Sequence, residues 1–235
     1  IRDRYRMDDW LIFSSPDLIN WTKRFVLKPE NTYIGPWKEC YATDAISRNG
    51  KYYMYFSQQQ QQTGVAVSEN PWGPYIDALG KPLLPADLTE TADYDPAVFI
   101  DDDNKPYLLW GYTVNNKSYY IARLNEDMIS LAEAPRKIII ENGWKNDAVD
   151  IHKRNGIYYL NSHGADYATS KNIYGPYKYR GKYTNVWSDH GNFFTWNNQT
   201  YHTWGLRENW NDPFYRCSKI TYVHYKDNGD IVADS

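Results

Sequence analysis

The sequence has only 2 cysteines and 3 methionines among 235 residues, and no apolar run approaches the roughly 20 residues of a membrane span. Cys40 and Cys217 lie far apart, so they do not make the disulfide framework of a small secreted domain. The opening residues, IRDRYRMDDW, are typical of the interior of a protein rather than of a signal peptide, and we expect a processed or truncated chain. The compartment stays open, with an extracellular or periplasmic location favoured over a cytoplasmic one.

The sequence also lacks an excess of positive charge. The formal net charge is -3, with 26 Lys and Arg against 29 Asp and Glu, so the sequence has no electrostatic footprint for nucleic acid or an anionic membrane. We therefore expect no nucleic-acid partner and no membrane partner.

Helical heptads are absent as well, and the spacing of the 12 prolines and 14 glycines forbids long helices. Aromatic residues are abundant instead: the chain has 23 Tyr and 10 Trp, and aromatics make up 17% of it. Large amphipathic rings favour β structure. Such rings also stack on the apolar faces of sugars, so both a β core and a carbohydrate site are consistent with this composition.

An internal repeat organises the chain. Four segments each consist of a turn followed by an aromatic-rich strand: NGKYYMYFS (49–57), NKPYLLWGY (104–112), NGIYYLNSHG (155–164) and NNQTYHTWGL (197–206). Asn-Gly between two β runs is a strong hairpin signal, because both turn residues need positive φ. The segments ENPWGPY (69–75) and KNIYGPY (171–177) also repeat nearly residue for residue.

A repeat of this length made of short strands predicts a β-propeller. We expect an all-β fold, a five-bladed β-propeller forming one catalytic domain over residues 1–235, with four complete blades and an incomplete first blade at the N-terminus. The incomplete blade is YRMDDWLIFSSPDLINWTKR, which supplies only an outer half, and the complete blades lie near 40–78, 93–140, 147–183 and 190–235. The run QQQQQ at 58–62 falls where a hairpin loop is expected.

Acidic residues occur where the innermost strand of each predicted blade begins. Asp44, Asp95, Asp147 and the pair Asp189–His190 occupy these places. Taken singly, each of these acids has a structural explanation, since a carboxylate at a strand end accepts backbone hydrogen bonds. Innermost strands line the axis of a propeller, however, and like charges brought together are costly unless they are used. We therefore expect Asp44, Asp95 and Asp147 to open into one central pocket.

The sequence resembles glycoside hydrolase family 43, whose five-bladed propellers cleave arabinose- and xylose-containing polysaccharides. The resemblance extends over essentially the whole chain and is specific in five segments: MDDWLIFSSPDLINWT, TGVAVSENPWGPY, YDPAVFIDDDNKPYLLWG, KRNGIYYL and HGNFFTWNNQTYH. It implies inverting hydrolysis, in which one carboxylate activates water and another protonates the leaving oxygen.

The resemblance assigns roles to individual residues. Asp95 matches the Asp-Pro residue that orients the general acid and raises its pKa. Asp147 falls at the acid position, where the family has Glu, one methylene longer; Asp150 ranks below it. The general base of the family lies upstream of MDDW, and no residue of this chain is assigned to it.

Four further residues are expected to contribute. The resemblance places His190 near a calcium ion or water cluster on the propeller axis, and calcium with one imidazole would need waters to complete its shell. It places Arg216 against the sugar, where a guanidinium suits hydroxyl contacts. Trp110 is expected to contact substrate as a stacking platform, with core packing as the alternative, and Asp44 is expected to bind substrate.

The leading hypothesis is a glycosidase of α-L-arabinofuranosidase or β-xylosidase type that acts on arabinoxylan, arabinan or xylo-oligosaccharides. The alternative is a catalytically impaired propeller that binds glycan without hydrolysing it, a reading favoured by the unassigned base and the shortened acid. A protein-interaction scaffold leaves the Asp95 motif without a role. The sequence leaves the sugar, the linkage and the choice between exo and endo action open.

Overall fold

A computed structural model describes residues 8–37, 40–58, 61–113, 115, 117–144, 146–207 and 216–234, with the side chains of Arg207 and Arg216 excepted. These residues form an all-β, propeller-like fold. Besides strands they include the short 3-10 helices Pro29–Asn31 and His163–Ala165, and no α-helix in any described range. None of the described helices is long and apolar enough to cross a membrane.

The chain divides into two compact units. The first comprises Ile1–Trp110 and Ala122–Pro135, and the second comprises Gly111–Ile121 and Arg136–Ser235. A single catalytic domain over residues 1–235 stays a prediction.

The first unit begins with a two-stranded antiparallel sheet, β1 (Trp10–Ser14) and β2 (Thr22–Leu27). A four-stranded antiparallel sheet follows in chain order: β3 (Cys40–Arg48), β4 (Lys51–Gln58), β5 (Gln62–Ser68) and β6 (Ile76–Asp77). Trp10 and Leu27 pack with Met54, Phe56 and Ala66 in one apolar cluster. Burial of these side chains joins the two sheets, since each large apolar group contributes about 1.5–3 kcal/mol.

The next sheet has the order β10-β9-β8-β7, again consecutive in the chain. Its strands are β7 (Ala97–Ile100), β8 (Pro106–Gly111), β9 (Tyr119–Arg123) and β10 (Arg136–Lys137). Every residue of β8 is buried, which explains the near-continuous apolar run PYLLWG.

Two sheets complete the second unit. One has the order β11-β15-β14-β13-β12, with β11 parallel to β15, and the other has the order β16-β17-β18-β19. The strands of the first are β11 (Ile140–Glu141), β12 (Val149–Arg154), β13 (Ile157–Ser162), β14 (Asp166–Ser170) and β15 (Tyr177–Lys182). Those of the second are β16 (Asp189–Trp196), β17 (Gln199–Arg207), β18 (Arg216–Tyr225) and β19 (Ile231–Ala233).

These four sheets match the predicted complete blades, except that β11 lies before the predicted 147–183 blade and joins its sheet. The hairpin turns also have the predicted backbone: Asn49 and Gly50 have φ of 51° and 77°, and Asn155 and Gly156 have 51° and 74°. The loop predicted within the Gln run lies between β4 and β5, although Gln59 and Gln60 lie outside the described residues. The fifth blade and the incompleteness of the first remain predictions.

The two near-identical segments at 69–75 and 171–177 fold alike. In each, the Tyr hydroxyl donates to a backbone carbonyl four residues earlier, from Tyr75 to Pro71 at 3.0 Å and from Tyr177 to Ile173 at 2.7 Å. The repeat seen in the sequence is therefore a repeat of local hydrogen bonding.

Candidate active site

In three of the sheets, one unusual backbone position lies at or just before the start of the innermost strand. Asp95, Ala148 and His190 have φ of 55°, 53° and 36°, a region that non-glycine residues rarely occupy. Asp95 and Ala148 lie just before β7 and β12, and His190 is the second residue of β16. This shared geometry makes the three positions equivalent in the repeat, and Asp147 and Asp189 directly precede two of them.

Asp44 belongs to a different position, so its predicted equivalence to Asp95 and Asp147 is wrong. Asp44 Oδ2 accepts the backbone N–H of Val98 at 2.7 Å, and Asp150 Oδ2 accepts that of Phe193 at 3.3 Å. Both acids thus lie within an inner strand and bond to the inner strand of the following sheet. The reason for the error is register, because Asp44 matches Asp150 when the strands are aligned on their Asn-Gly turns.

The surroundings of Asp44 explain the raised pKa of its carboxyl. Burial raises its pKa to about 6, although the backbone N–H groups of Val98 and Ala45 oppose that shift. Both carboxylate oxygens are occupied by these backbone donors. This arrangement is that of a structural clamp, and contact with substrate stays a prediction.

Asp95 is buried in the first unit with 3% of its surface exposed, and its backbone N–H donates to Ser57 Oγ at 3.0 Å. Its strained φ shows that its placement is enforced by its surroundings. The orienting role implied by the resemblance stays a prediction.

Trp110 lies in the core rather than on an open surface. It is 0% exposed, and its indole Nε1–H donates to Asp93 Oδ1 at 2.9 Å. Asp93 also accepts from Thr89 and Leu88, so the indole completes a buried polar network. This packing supports the core alternative for Trp110. Arg216 begins β18, but its side chain lies outside the described residues.

The second unit contains a row of three ionisable groups. His163 Nδ1 contacts Asp147 Oδ1, and His163 Nε2 lies 3.5 Å from Asp189 Oδ1. The exposed fraction of the side chain falls from 33% for Asp147 to 6% for His163 and 0% for Asp189. Trp187 Nε1–H donates to Asp189 Oδ1 at 2.8 Å. Asp147 is therefore the accessible end of a row whose other end is anchored in the interior.

The histidine controls the charge of Asp147. Burial alone raises the pKa of this carboxyl, but the hydrogen bond and charge of His163 outweigh it, assisted by His190, and the pKa falls to about 2. Sequence reasoning identified Asp147, Asp189 and His190 but missed His163. The available signal was a His-Gly pair at the end of an aromatic strand, where a kink turns the side chain off the sheet.

An open pocket of about 310 Å³ adjoins Asp189. Its walls combine an indole, an amide, two hydroxyls, an imidazole and a thiol; they are formed by Asp189, His190, Gly191, Asn192, Thr203, Trp204, Gly205, Cys217 and Ser218. Pockets that bind small molecules combine apolar walls with a few polar groups in this way.

The described side chains around His190 do not by themselves form a calcium site, and a calcium ion there stays a prediction. Its ring packs against that of His163, with centroids 4.3 Å apart, and the neighbouring Asp189 carboxylate is engaged by Trp187. Among the described residues, no three His, Cys, Asp or Glu side chains are grouped to hold a metal ion. Calcium prefers six to eight oxygen ligands, so we derive no catalytic step through it.

Comparison with known proteins decides the family. The model of Glycosyl hydrolases family 43 matches residues 3–205 of this chain. The chain belongs to glycosyl hydrolase family 43. The prediction of a glycosidase is therefore confirmed, and the comparisons give no support to the glycan-binding alternative over it.

Relatives of this family 43 enzyme include a xylosidase/arabinosidase of Bacteroides ovatus, 32% identical over 76% of this chain and 67% of the relative. A β-D-galactofuranosidase of Aspergillus niger is 30% identical over 94% of this chain and 72% of the relative. Among solved structures, a β-xylosidase/α-arabinofuranosidase from a compost metagenome, bound to xylotriose in a calcium-free form, superposes with a TM-score of 0.82. It is 28% identical, and the match covers 98% of this chain and 84% of that one.

Proposed function

We propose that this family 43 enzyme hydrolyses glycosidic bonds in arabinose- or xylose-containing oligosaccharides from arabinoxylan or arabinan, with inversion at the anomeric carbon. The named activities of the Bacteroides relative and of the xylotriose-bound structure support this substrate class. The composition of the pocket beside Asp189 supports a sugar ligand.

The observation that carries the proposal is the contact between Asp147 and His163. An inverting glycosidase must supply a proton to the leaving oxygen. In this contact a carboxylate oxygen and an imidazole nitrogen share a hydrogen bond, and the carboxylate is the more exposed partner. His163 lowers the pKa of Asp147 in the substrate-free protein, so the acid role requires bound substrate to raise it. We assign proton donation to Asp147 on this basis. Asp95 as its orienting partner and Arg216 as a sugar contact are part of the proposal, and the water-activating base is not assigned.

The test uses xylotriose, arabino-oligosaccharides and arabinoxylan as unactivated substrates, together with dinitrophenyl α-L-arabinofuranoside and β-D-xyloside. Released sugars are identified by chromatography, and proton NMR during early turnover reports the anomer formed first. We expect release of arabinose or xylose with inverted configuration. Retained configuration would contradict the mechanism, and binding of xylotriose without hydrolysis would establish the glycan-binding alternative.

The role of Asp147 is tested with Asp147→Asn, and Asp227→Asn serves as a control at an exposed carboxylate. Loss of a general acid typically costs about 10²- to 10⁴-fold in rate. We expect a loss of this size on unactivated oligosaccharides and a small loss on dinitrophenyl glycosides, because dinitrophenolate leaves without protonation. Equal losses on both substrate classes would contradict the acid assignment.

A further inference from the structure

His163 is held by a kink that ties two segments of the second unit together. After β13 the chain turns through Gly164 and Ala165, with φ of 75° and 66°. Asn146 Nδ2–H donates to the His163 carbonyl at 2.7 Å, and the Gly164 N–H donates to the Ser188 carbonyl at 2.9 Å. The residues before Asp147 and before Asp189 are thus both bonded to the segment that carries the imidazole.

Gly164 is required for this arrangement. A Cβ there would lie 3.2 Å from Asn146 Nδ2 and 3.2 Å from the Trp187 ring, at a φ that side chains other than glycine rarely adopt. The backbone is therefore packed closely around the histidine, and the ring has little freedom to move.

The ring itself is oriented from its buried side. Asp189 has no exposed side-chain surface, its Oδ1 accepts from Trp187, and it lies 3.5 Å from His163 Nε2. The His190 ring packs nearly perpendicular to the imidazole at a centroid separation of 4.3 Å. With one nitrogen facing a fixed carboxylate, the other nitrogen is directed at Asp147.

We propose that His163 is a positioning residue for Asp147. Its Nδ1 holds the carboxylate in the orientation that proton donation needs, and close packing at Gly164 and against His190 orients the imidazole. This inference rests on the acid role proposed for Asp147. The carboxylate is one-third exposed and would otherwise have rotational freedom. A displacement of about 1 Å at a reacting group can cost about 100-fold in rate.

The test compares three variants of His163: two keep a polar amide, and one removes the polar group. In His163→Asn the amide nitrogen takes a place close to that of Nδ1 and can still donate to Asp147. In His163→Gln the amide reaches the place of Nε2 instead, and His163→Ala removes both nitrogens. His224→Ala is the control, since the His224 side chain is 57% exposed. For each variant, kcat and KM are measured on xylotriose or an arabino-oligosaccharide and on the matching dinitrophenyl glycoside.

We expect His163→Ala and His163→Gln to lower kcat on the unactivated substrate by about 100-fold with little change in KM. His163→Asn should recover at least about tenfold of that loss, and the dinitrophenyl substrate should be little affected. A double variant with Asp147→Asn should be no slower than Asp147→Asn alone, because a positioning residue has nothing left to position.

The possible results separate the two proposals. If Asp147→Asn slows unactivated turnover and His163→Ala does not, the positioning role is refuted and the proposed function stands. Equal losses for the Asn and Gln variants, or additive losses in the double variant, also refute positioning, since packing alone would explain them. If wild type is inactive or Asp147→Asn has no effect, the proposed acid fails and the inference fails with it. If His163→Ala does not fold, the Asn and Gln comparison decides the question.

Discussion

His202 should make this protein sensitive to mild acid. The residue lies in the second unit with 1% of its surface exposed, packed against Phe193 and Tyr183 at centroid distances of 4.6 Å and 5.1 Å. The Tyr183 hydroxyl lies 3.3 Å from Nε2, and Nδ1 has no hydrogen-bond partner among the described residues. Burial lowers the pKa of His202 to about 3, because a charged ring would lose its hydration there.

The sign of the effect follows from proton binding. Unfolded histidine titrates near pH 6.5, so below that pH the unfolded state binds a proton that the folded state excludes. The stability contributed by the neutral ring is full above about pH 6.5 and is lost as the pH falls towards 3. Between pH 7 and pH 5 the loss for this one residue amounts to about 2 kcal/mol.

His202→Gln tests this directly, because glutamine does not titrate and can still accept from Tyr183. Urea unfolding followed by tryptophan fluorescence at pH 7, 6 and 5 gives the free energy of unfolding for wild type and variant. We expect the variant to lose about 2 kcal/mol less than wild type between pH 7 and pH 5, whatever its stability at pH 7. His224→Gln at the exposed site is the matched control.

Parallel pH curves for wild type and His202→Gln would refute the reasoning, because the buried ring would then titrate as it does in the unfolded chain. A flattened curve for His224→Gln would also refute it, since the effect would not depend on burial.

Three further outcomes are expected. Trp110→Phe should lower the free energy of urea unfolding by about 1–3 kcal/mol, because it leaves Asp93 without its indole donor. The control Trp72→Phe, at an exposed ring, should change that free energy by less than about 0.5 kcal/mol. Equal effects of the two variants would count against the buried network. Burial raises the pKa of Asp44 to about 6, so the folded protein binds this proton more tightly than the unfolded chain does. The resulting contribution to the free energy of unfolding is fully present below pH 3.8 and is lost as the pH rises through 6. Asp44→Asn should therefore flatten the unfolding free energy between pH 4 and pH 6, and an unchanged curve would show that Asp44 is solvated. Gly191→Ala should lower the melting temperature measured by circular dichroism, because the new methyl group would overlap His202 Nε2 and the Thr203 carbonyl oxygen. An unchanged melting temperature would contradict the close packing of β16 on β17.

The repeat was readable from the sequence because its signals are local. Asn-Gly turns, Tyr-rich strands and the paired segments ENPWGPY and KNIYGPY depend on residues close in the chain, and hydrogen bonds such as that from Tyr75 to Pro71 close within four residues. Family membership was readable for the same reason, since its motifs are continuous segments.

The site was less readable, because strand register and burial depend on contacts between distant residues. Asp44 and Asp95 look alike in sequence, yet the bond from Val98 to Asp44 places Asp44 at the position of Asp150. Trp110 had two readings until the network with Asp93 showed it in the core.

The sequence by itself determined the all-β class, the blades near 40–78, 93–140, 147–183 and 190–235, and the chemistry class of the enzyme. Tertiary structure alone decided that His163, sixteen residues beyond Asp147 in the sequence, lies between Asp147 and Asp189. The physical reason is that a kink after β13, permitted by Gly164 and fixed by bonds to Asn146 and Ser188, determines the direction of that side chain. Local sequence sets which strands form, whereas the packing of one strand end against its neighbours sets which side chains meet.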